Sequence, residues 1–360
     1  MSTMPTDHLT VGAGAMEGGG AYNAHARLQA SGAALAFPLL VEALDKVSTG
    51  PEERPLVIAD YGSSQGKNSL VPVEIAVSAF RKRFGPTRPI MVFHIDRSEN
   101  DFNSLFDVLQ RDEHRYTASD PHVFPAAIGR SFYDAVLPPE SVDLGWCSYA
   151  AIWLSRAPAR IPGHIVAIRS DNGVRFAFAL QAGADWQQFL ERRAAELRPG
   201  ARLVVVLPGI DEDGQTGYEA LFDNGNAVLV SLEEDGILRR EERARMVLAA
   251  YPRRRAELEA PFGSASLSGL SLEHYEMSAF DDPAWLQYQQ DGDAQALGLK
   301  RALLFRATFL PTLLAAASPD RTAADCACFA AAFTDRLALR FASDPSPLRS
   351  YVQTLVIAKA

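Results

Sequence analysis

The stretch Asp60-Tyr61-Gly62-Ser63-Ser64-Gln65-Gly66-Lys67-Asn68 combines an acid, two glycines and small polar side chains in a D-x-G-x-x-x-G pattern. Glycines let a backbone approach a ligand closely, and a helix that starts after such a turn offers unpaired N–H donors. Farther on, Asp96 closes the apolar run IMVFHI, and an acid at a strand end can accept both hydroxyl hydrogens of a ribose. The glycine spacing is not the dinucleotide G-x-G-x-x-G, and Asp96 comes later than the roughly 20 residues which that fingerprint wants. Adenosine binding and a structural turn with capped helices both satisfy the spacing.

Other chemistries lack their residues. There is no G-x-S-x-G elbow for a serine nucleophile, and the seven histidines show no H-E-x-x-H or other ligand spacing. His94, inside an apolar run, reads as a core residue. Cys147, Cys326 and Cys328 cannot build a disulfide framework or a zinc site, which fits a reducing compartment. Cys326-Ala-Cys328 reads as core packing of an Ala-rich helix, and Arg253-Arg254-Arg255 as a solvated basic run. With 35 basic against 44 acidic residues the net charge is −9, which argues against nucleic acid as the main partner. At 48% hydrophobic and 22% charged the chain is an ordinary globule, and no long apolar run suggests a leader or a membrane span.

The elements that must position these residues are legible as alternating apolar runs. Leu56–Asp60, Ile90–Ile95, Val142–Cys147 and Arg202–Leu207 read as buried strands, with helices over Asn68–Phe84 and near Trp186–Leu197 between them. Strand, turn, helix, strand is a βαβ unit, so the class is α/β with a mostly parallel sheet. Leu272–Met277 and Tyr351–Ile357 add a late, hairpin-like pair. Upstream, Tyr22–Val47 is helical with a break at Pro38, followed by a Gly50-Pro51 turn. The helical stretches 219–250 and 283–314 exceed what the sheet needs and are expected to cap it. Val11–Gly20 is a flexible, glycine-rich run that could fold over a ligand.

Several blocks resemble, in order, the SABATH family of S-adenosylmethionine-dependent carboxyl methyltransferases: MEGGG with Tyr22, IADYGSSQGKNS, HIDRSENDFNSLF, SFYDAVLPPESVDLGWCSYAAIWLS and RAAELRPGARLVVVLPG. The resemblance runs over roughly residues 16–210 and more weakly to the C-terminus. It implies a Rossmann-like methyltransferase sheet with a helical cap: a lid at 1–21, a cofactor-binding core with the first part of the cap at 22–210, a mainly helical cap with one core strand at 211–320, and a closing helix and strand at 321–360. S-adenosylmethionine is the implied cofactor. By the resemblance, Asp60, Gly62 and Asn68 surround its methionine part, Asp96 and Arg97 its ribose, Ser131 and Phe132 its adenine, and Tyr22 and Cys147 also border it. Ala26 and Arg97 depart from the family's usual Ser and Leu.

The family holds its substrate carboxylate with a Gln seven residues after the N-terminal Tyr and with the Trp of S-Y-x-x-x-W, here Gln29 and Trp153. On their own these would read as an exposed helix residue and a core aromatic. Together they are two neutral N–H donors, able to orient a carboxylate without quenching it as an arginine would. Tyr22, Tyr149, Ile152, Leu221 and Phe222 complete the implied substrate wall. The resemblance therefore implies methyl-ester formation on a small aromatic or hydrophobic acid by a homodimer, while the cysteine usage and the N-terminus point to the cytoplasm. N-methylation of a heterocycle and non-catalytic cofactor binding are the alternatives.

Overall fold

The computed structural model describes residues 14–49, 54–118, 120–267 and 269–360. The Gly50-Pro51 turn and most of the expected lid lie outside them. Seven strands form one sheet: β1 (Leu56–Tyr61), β2 (Ile90–Asp96), β3 (Val123–Gly129), β4 (Val142–Ser148), β5 (Leu197–Pro208), β6 (Leu270–Asp281) and β7 (Arg349–Lys359), in the order β3-β2-β1-β4-β5-β7-β6. The first five strands pair in parallel, while β7 runs antiparallel to both β5 and β6. β6 and β7 are neighbours as expected, but four helices between Pro283 and Ser343 separate them in the chain, so they are no hairpin.

β1 sits in the middle of the parallel half and is buried along its whole length. Its alternate residues serve the two faces, as the two-residue period of a strand demands. Leu56 and Ile58 join the layer with Val73 and Phe80 of helix Leu70–Phe84, while Val57, Ala59 and Tyr61 join Trp186 and Phe189 of helix Asn172–Glu196. That second helix is much longer than the sequence signal near Trp186. It starts at Asp171, whose carboxylate accepts from Val174 N at 2.9 Å.

The expected helix 219–250 is interrupted. Helix Glu219–Glu234 ends before Gly236, whose φ of 73° carries the turn, and a short helix Arg240–Arg243 precedes irregular chain that bridges Ala250 to Trp153. The stretch 283–314 divides into helices Pro283–Asp291, Ala294–Thr308 and Leu310–Leu314, broken at Gly292 and again ahead of Pro311. The N-terminal stretch forms Ala21–His25, Arg27–Ala34 and Phe37–Lys46, with Pro38 in a first turn where its missing N–H costs nothing.

Two local readings are corrected. Arg253 is buried: its guanidinium donates to Ala151 O at 2.6 Å and to Ala182 O at 2.9 and 3.1 Å, pinning the segment after Ala250 to the turn after β4 and to helix Asn172–Glu196. Only Arg254 and Arg255 are solvated. In the helix Ala323–Ser343 the first turns face water, so Cys328 is exposed and Cys326 half-buried instead of packing in the core.

Candidate active site

The D-x-G-x-x-x-G segment turns sharply at the carboxyl end of β1. Gly62, Ser64 and Gly66 all have positive φ, at 90°, 48° and 84°. A Cβ on Gly62 would stand 2.1 Å from Ala150 Cβ, so only glycine lets this loop close against the loop after β4. Asp96 ends β2 and accepts from Ser64 N at 2.7 Å and Arg97 N at 2.8 Å. Asp96 is half-buried by its exposed surface, and its desolvation outweighs both hydrogen bonds and pushes the carboxyl up to about 6. Arg97 beside it reaches Glu99 at 3.4 Å.

Asp60 lies near the carboxyl end of β1. Register puts it opposite His94, and its carboxylate lies 3.0 Å from His94 Nδ1 while His94 Nε2 meets Tyr116 Oη at 2.7 Å. The three side chains form a buried row beneath the crevice, and His94 is a core residue. Cys147 is fully enclosed with Tyr61 and Ala150, its thiol pushed up to about 12 by burial, so the sulfur packs in the core. Asn68 donates to Ala26 O at 3.3 Å, and Asn23 links helix Ala21–His25 to Gln65 O at 2.9 Å and Lys67 N at 3.1 Å. These bonds tie the N-terminal helices to the crevice.

Ser131 and Phe132 lie on the loop after β3. Ser131 Oγ accepts from Tyr133 N at 3.2 Å, which leaves its own O–H free to donate, and Phe132 stands edge-on to Phe189 at 5.9 Å. The loop is fixed from beneath. Arg193 donates to Phe132 O at 2.6 Å, and Glu196 accepts from Val136 N, Leu137 N, Arg193 and Tyr61 Oη.

Next to this crevice opens a cavity of about 940 Å³, counted with its mouth. Tyr22, Gln29, Tyr149, Ile152, Trp153 and Phe222, all expected from the sequence, line it. Leu221 does not; it is wholly buried in the adjoining core. Tyr22 joins the two spaces, since it lines the cavity while burial first, and then the nearby Asp96, raise its phenol well above the usual range. Tyr149 holds a left-handed φ of 58°, and its hydroxyl rests where a Cβ on Gly32 would come within 1.9 Å. Burial also pushes Tyr218, another lining residue, up to about 12, so neither phenol is a base at neutral pH.

Gln29 and Trp153 face the same space. Trp153 packs on Phe309 at 6.0 Å between ring centres, and its carbonyl is held by Tyr133 Oη at 2.6 Å. The Gln29 amide nitrogen donates to Thr308 Oγ1 at 3.3 Å, and the amide oxygen has no hydrogen-bond partner among the described residues. Among the described lining residues Arg169 is the one cation, held by Asp223 through bonds of 2.8 and 2.5 Å, and Glu219 is the one acid. Met16, Tyr218, Tyr251, Thr308 and Phe309 also line the cavity. The sequence reading missed the last four because none belongs to a motif; Thr308 and Phe309 sit in an apolar helix that reads as packing.

A sheet with one antiparallel strand next to its last parallel one, a glycine turn beside a strand-end acid, and an adjoining pocket with two neutral donors define a nucleotide-dependent group-transfer site. The family profile described as SAM dependent carboxyl methyltransferase matches residues 9–323, and the chain belongs to that family. It is 35% identical over 229 residues to the methyltransferase LUC1 of Fusarium sp, covering 62% of this chain and 59% of that protein. It is 29% identical to a loganic acid O-methyltransferase of Catharanthus roseus, over 52% of this chain and 53% of the relative. It is also 30% identical to a benzoic acid/salicylic acid carboxyl methyltransferase of Petunia hybrida, over 57% and 61%. These alignments span only 53% to 61% of the relatives' lengths. The fold agrees over nearly the whole chain with a solved loganic acid methyltransferase with SAH, at a TM-score of 0.77 and 24% identity, covering 96% of this chain and 98% of that one.

Proposed function

We propose that this protein transfers a methyl group from S-adenosylmethionine to a carboxylate oxygen of a hydrophobic acid and releases the methyl ester. The observation that carries this reading is the pairing of Gln29 and Trp153, two uncharged donors, on one wall of an apolar cavity whose single cation is already neutralised by Asp223. The chain's residues suit the cofactor. Buried Ser63 and Ser64 hydroxyls have no partners among the described residues, and Asp96 can take ribose hydroxyls. Phe132 and Ser131 offer a ring and a donor for a base.

Bound S-adenosylmethionine supplies a methyl carbon already activated by a sulfonium. A carboxylic acid with a pKa near 4 is ionised at neutral pH, so no general base is required. The protein's work is placement. Gln29 and Trp153 orient the carboxylate, Ile152, Phe222 and Phe309 hold the apolar body, and Tyr22 and Tyr149 stand where the cavity meets the crevice. Alignment of this kind supplies roughly 7 to 11 kcal/mol of a barrier. Met16 lines the cavity, and its neighbour Glu17 is held by Arg306 at 2.7 Å, so the N-terminal segment lies across the site and excludes water.

The apolar lining suits the body of an aromatic, indolyl or terpenoid acid. A screen of such acids with radiolabelled methyl donor tests the reading. Label in a product that mild hydroxide cleaves supports it; label confined to azoles, or none in any acid, sinks it. A homodimer is part of the same proposal, supported by Phe176 and Leu180, one turn apart and 65% and 60% exposed. Light scattering in solution checks it. Placement in the cytoplasm rests on the three free cysteines.

A further inference from the structure

We propose that Thr308 is a positioning residue that sets the direction of the Gln29 amide and thereby makes the cavity select an anion. The inference rests on the carboxyl methyltransferase reading and names a residue that it does not require. Thr308 and Gln29 are both buried, both line the cavity, and meet at 3.3 Å. No other hydrogen bond to the Gln29 side chain is made by the described residues.

An amide has a donor end and an acceptor end, and a half-turn about its last bond exchanges them. A threonine hydroxyl can partner either end. With the NH2 on Thr308, the arrangement of this ligand-free structure, the amide oxygen is left unpaired; it would repel a carboxylate and suit a ligand N–H. With the oxygen on Thr308, the hydroxyl donates to it and the NH2 becomes the free donor. A carboxylate has only acceptors, so it selects the second arrangement, and Thr308 is the group that satisfies the amide oxygen in it.

The surroundings hold that hydroxyl in place. Thr308 ends helix Ala294–Thr308, and the preceding residue, Ala307, accepts from Glu17 N at 2.9 Å while Arg306 grips the Glu17 carboxylate. The next residue, Phe309, packs on Trp153. Two consecutive residues thus support both donors of the cradle.

The test uses the full chain and an acid methylated by the wild type. Thr308→Val keeps the shape and removes the hydroxyl; Thr308→Ser keeps the hydroxyl. For Thr308→Val, kcat/KM for the acid falls about tenfold or more, as expected for losing one oriented bond to a charged group. S-adenosylhomocysteine affinity by calorimetry changes less than about twofold, and Thr308→Ser recovers most of the activity. Inhibition by the acid's primary amide, weak in the wild type, strengthens relative to the acid in Thr308→Val. The proposal is overturned if Thr308→Val keeps kcat/KM and the acid-to-amide preference, if Thr308→Ser is as impaired as Thr308→Val, or if cofactor affinity falls in parallel. A wild type that methylates no acid defeats the function reading, and this inference with it; an active wild type indifferent to Thr308→Val defeats this inference alone.

Discussion

Asp96 makes cofactor affinity depend on pH. Burial raises its carboxyl to about 6 in the ligand-free protein, against roughly 3.9 in an unfolded chain. The folded state therefore binds more protons between about pH 4 and 6, and Asp96 lowers folding stability as pH rises through that window. Ribose hydroxyls donating to the carboxylate favour its ionised form, so binding must remove the proton. At pH 5 only about a tenth of a group with pKa 6 is ionised. S-adenosylhomocysteine affinity should thus be about tenfold weaker at pH 5 than at pH 8, about 1.4 kcal/mol, with a plateau above pH 7. Calorimetry across this range, in buffers of different ionisation enthalpy, measures both the affinity and the proton released. The ligand's own groups do not titrate there. Asp96→Asn should bind more weakly with a flat profile. A flat profile in the wild type, or an unchanged slope in Asp96→Asn, would refute the reasoning.

Gln29→Ala and Trp153→Ala should each lower turnover by roughly 10- to 100-fold while moving S-adenosylhomocysteine affinity little, because each removes a donor to the carboxylate alone; equal losses in kinetics and calorimetry would contradict those roles. Gly62→Ala combines a φ of 90° with a Cβ placed 2.1 Å from Ala150 Cβ, and should cost at least about 2 kcal/mol of stability and most cofactor affinity; urea denaturation giving wild-type stability would count against the close approach. Glu196→Gln leaves buried Arg193 without its anion and should destabilise by about 3 to 5 kcal/mol, with weaker cofactor binding through the loop of Ser131 and Phe132; a change below about 1 kcal/mol in denaturant melts would show that the network does not support that loop.

The parallel half of the sheet was legible because fully buried strands leave continuous apolar runs: β1, β2, β4 and β5 all appear in the sequence. β3 did not, since VFPAAIG is partly exposed and carries Pro125, which an edge strand tolerates and a central strand does not. Arg253 was misread because its neighbours are charged; only the fold shows that two backbone carbonyls capture its guanidinium. Asp60 was legible as a strand-end acid, but its partner depended on the β1–β2 register, which no local pattern states. Gln29 and Trp153 were found through their spacing in the family, whereas Thr308, a threonine on an apolar helix, carries no signal until its neighbour across the cavity is known.

The central claim is that a neutral Gln29–Trp153 cradle presents a carboxylate to the cofactor's methyl carbon. A crystal structure with S-adenosylhomocysteine and the best acid from the screen tests it most directly. The carboxylate oxygens should lie within about 3.2 Å of the Gln29 amide nitrogen and the Trp153 indole nitrogen, with one oxygen aimed at the cofactor sulfur. An acid bound with its carboxylate turned toward Arg169, or a Gln29 and Trp153 that both face away from it, would contradict the account.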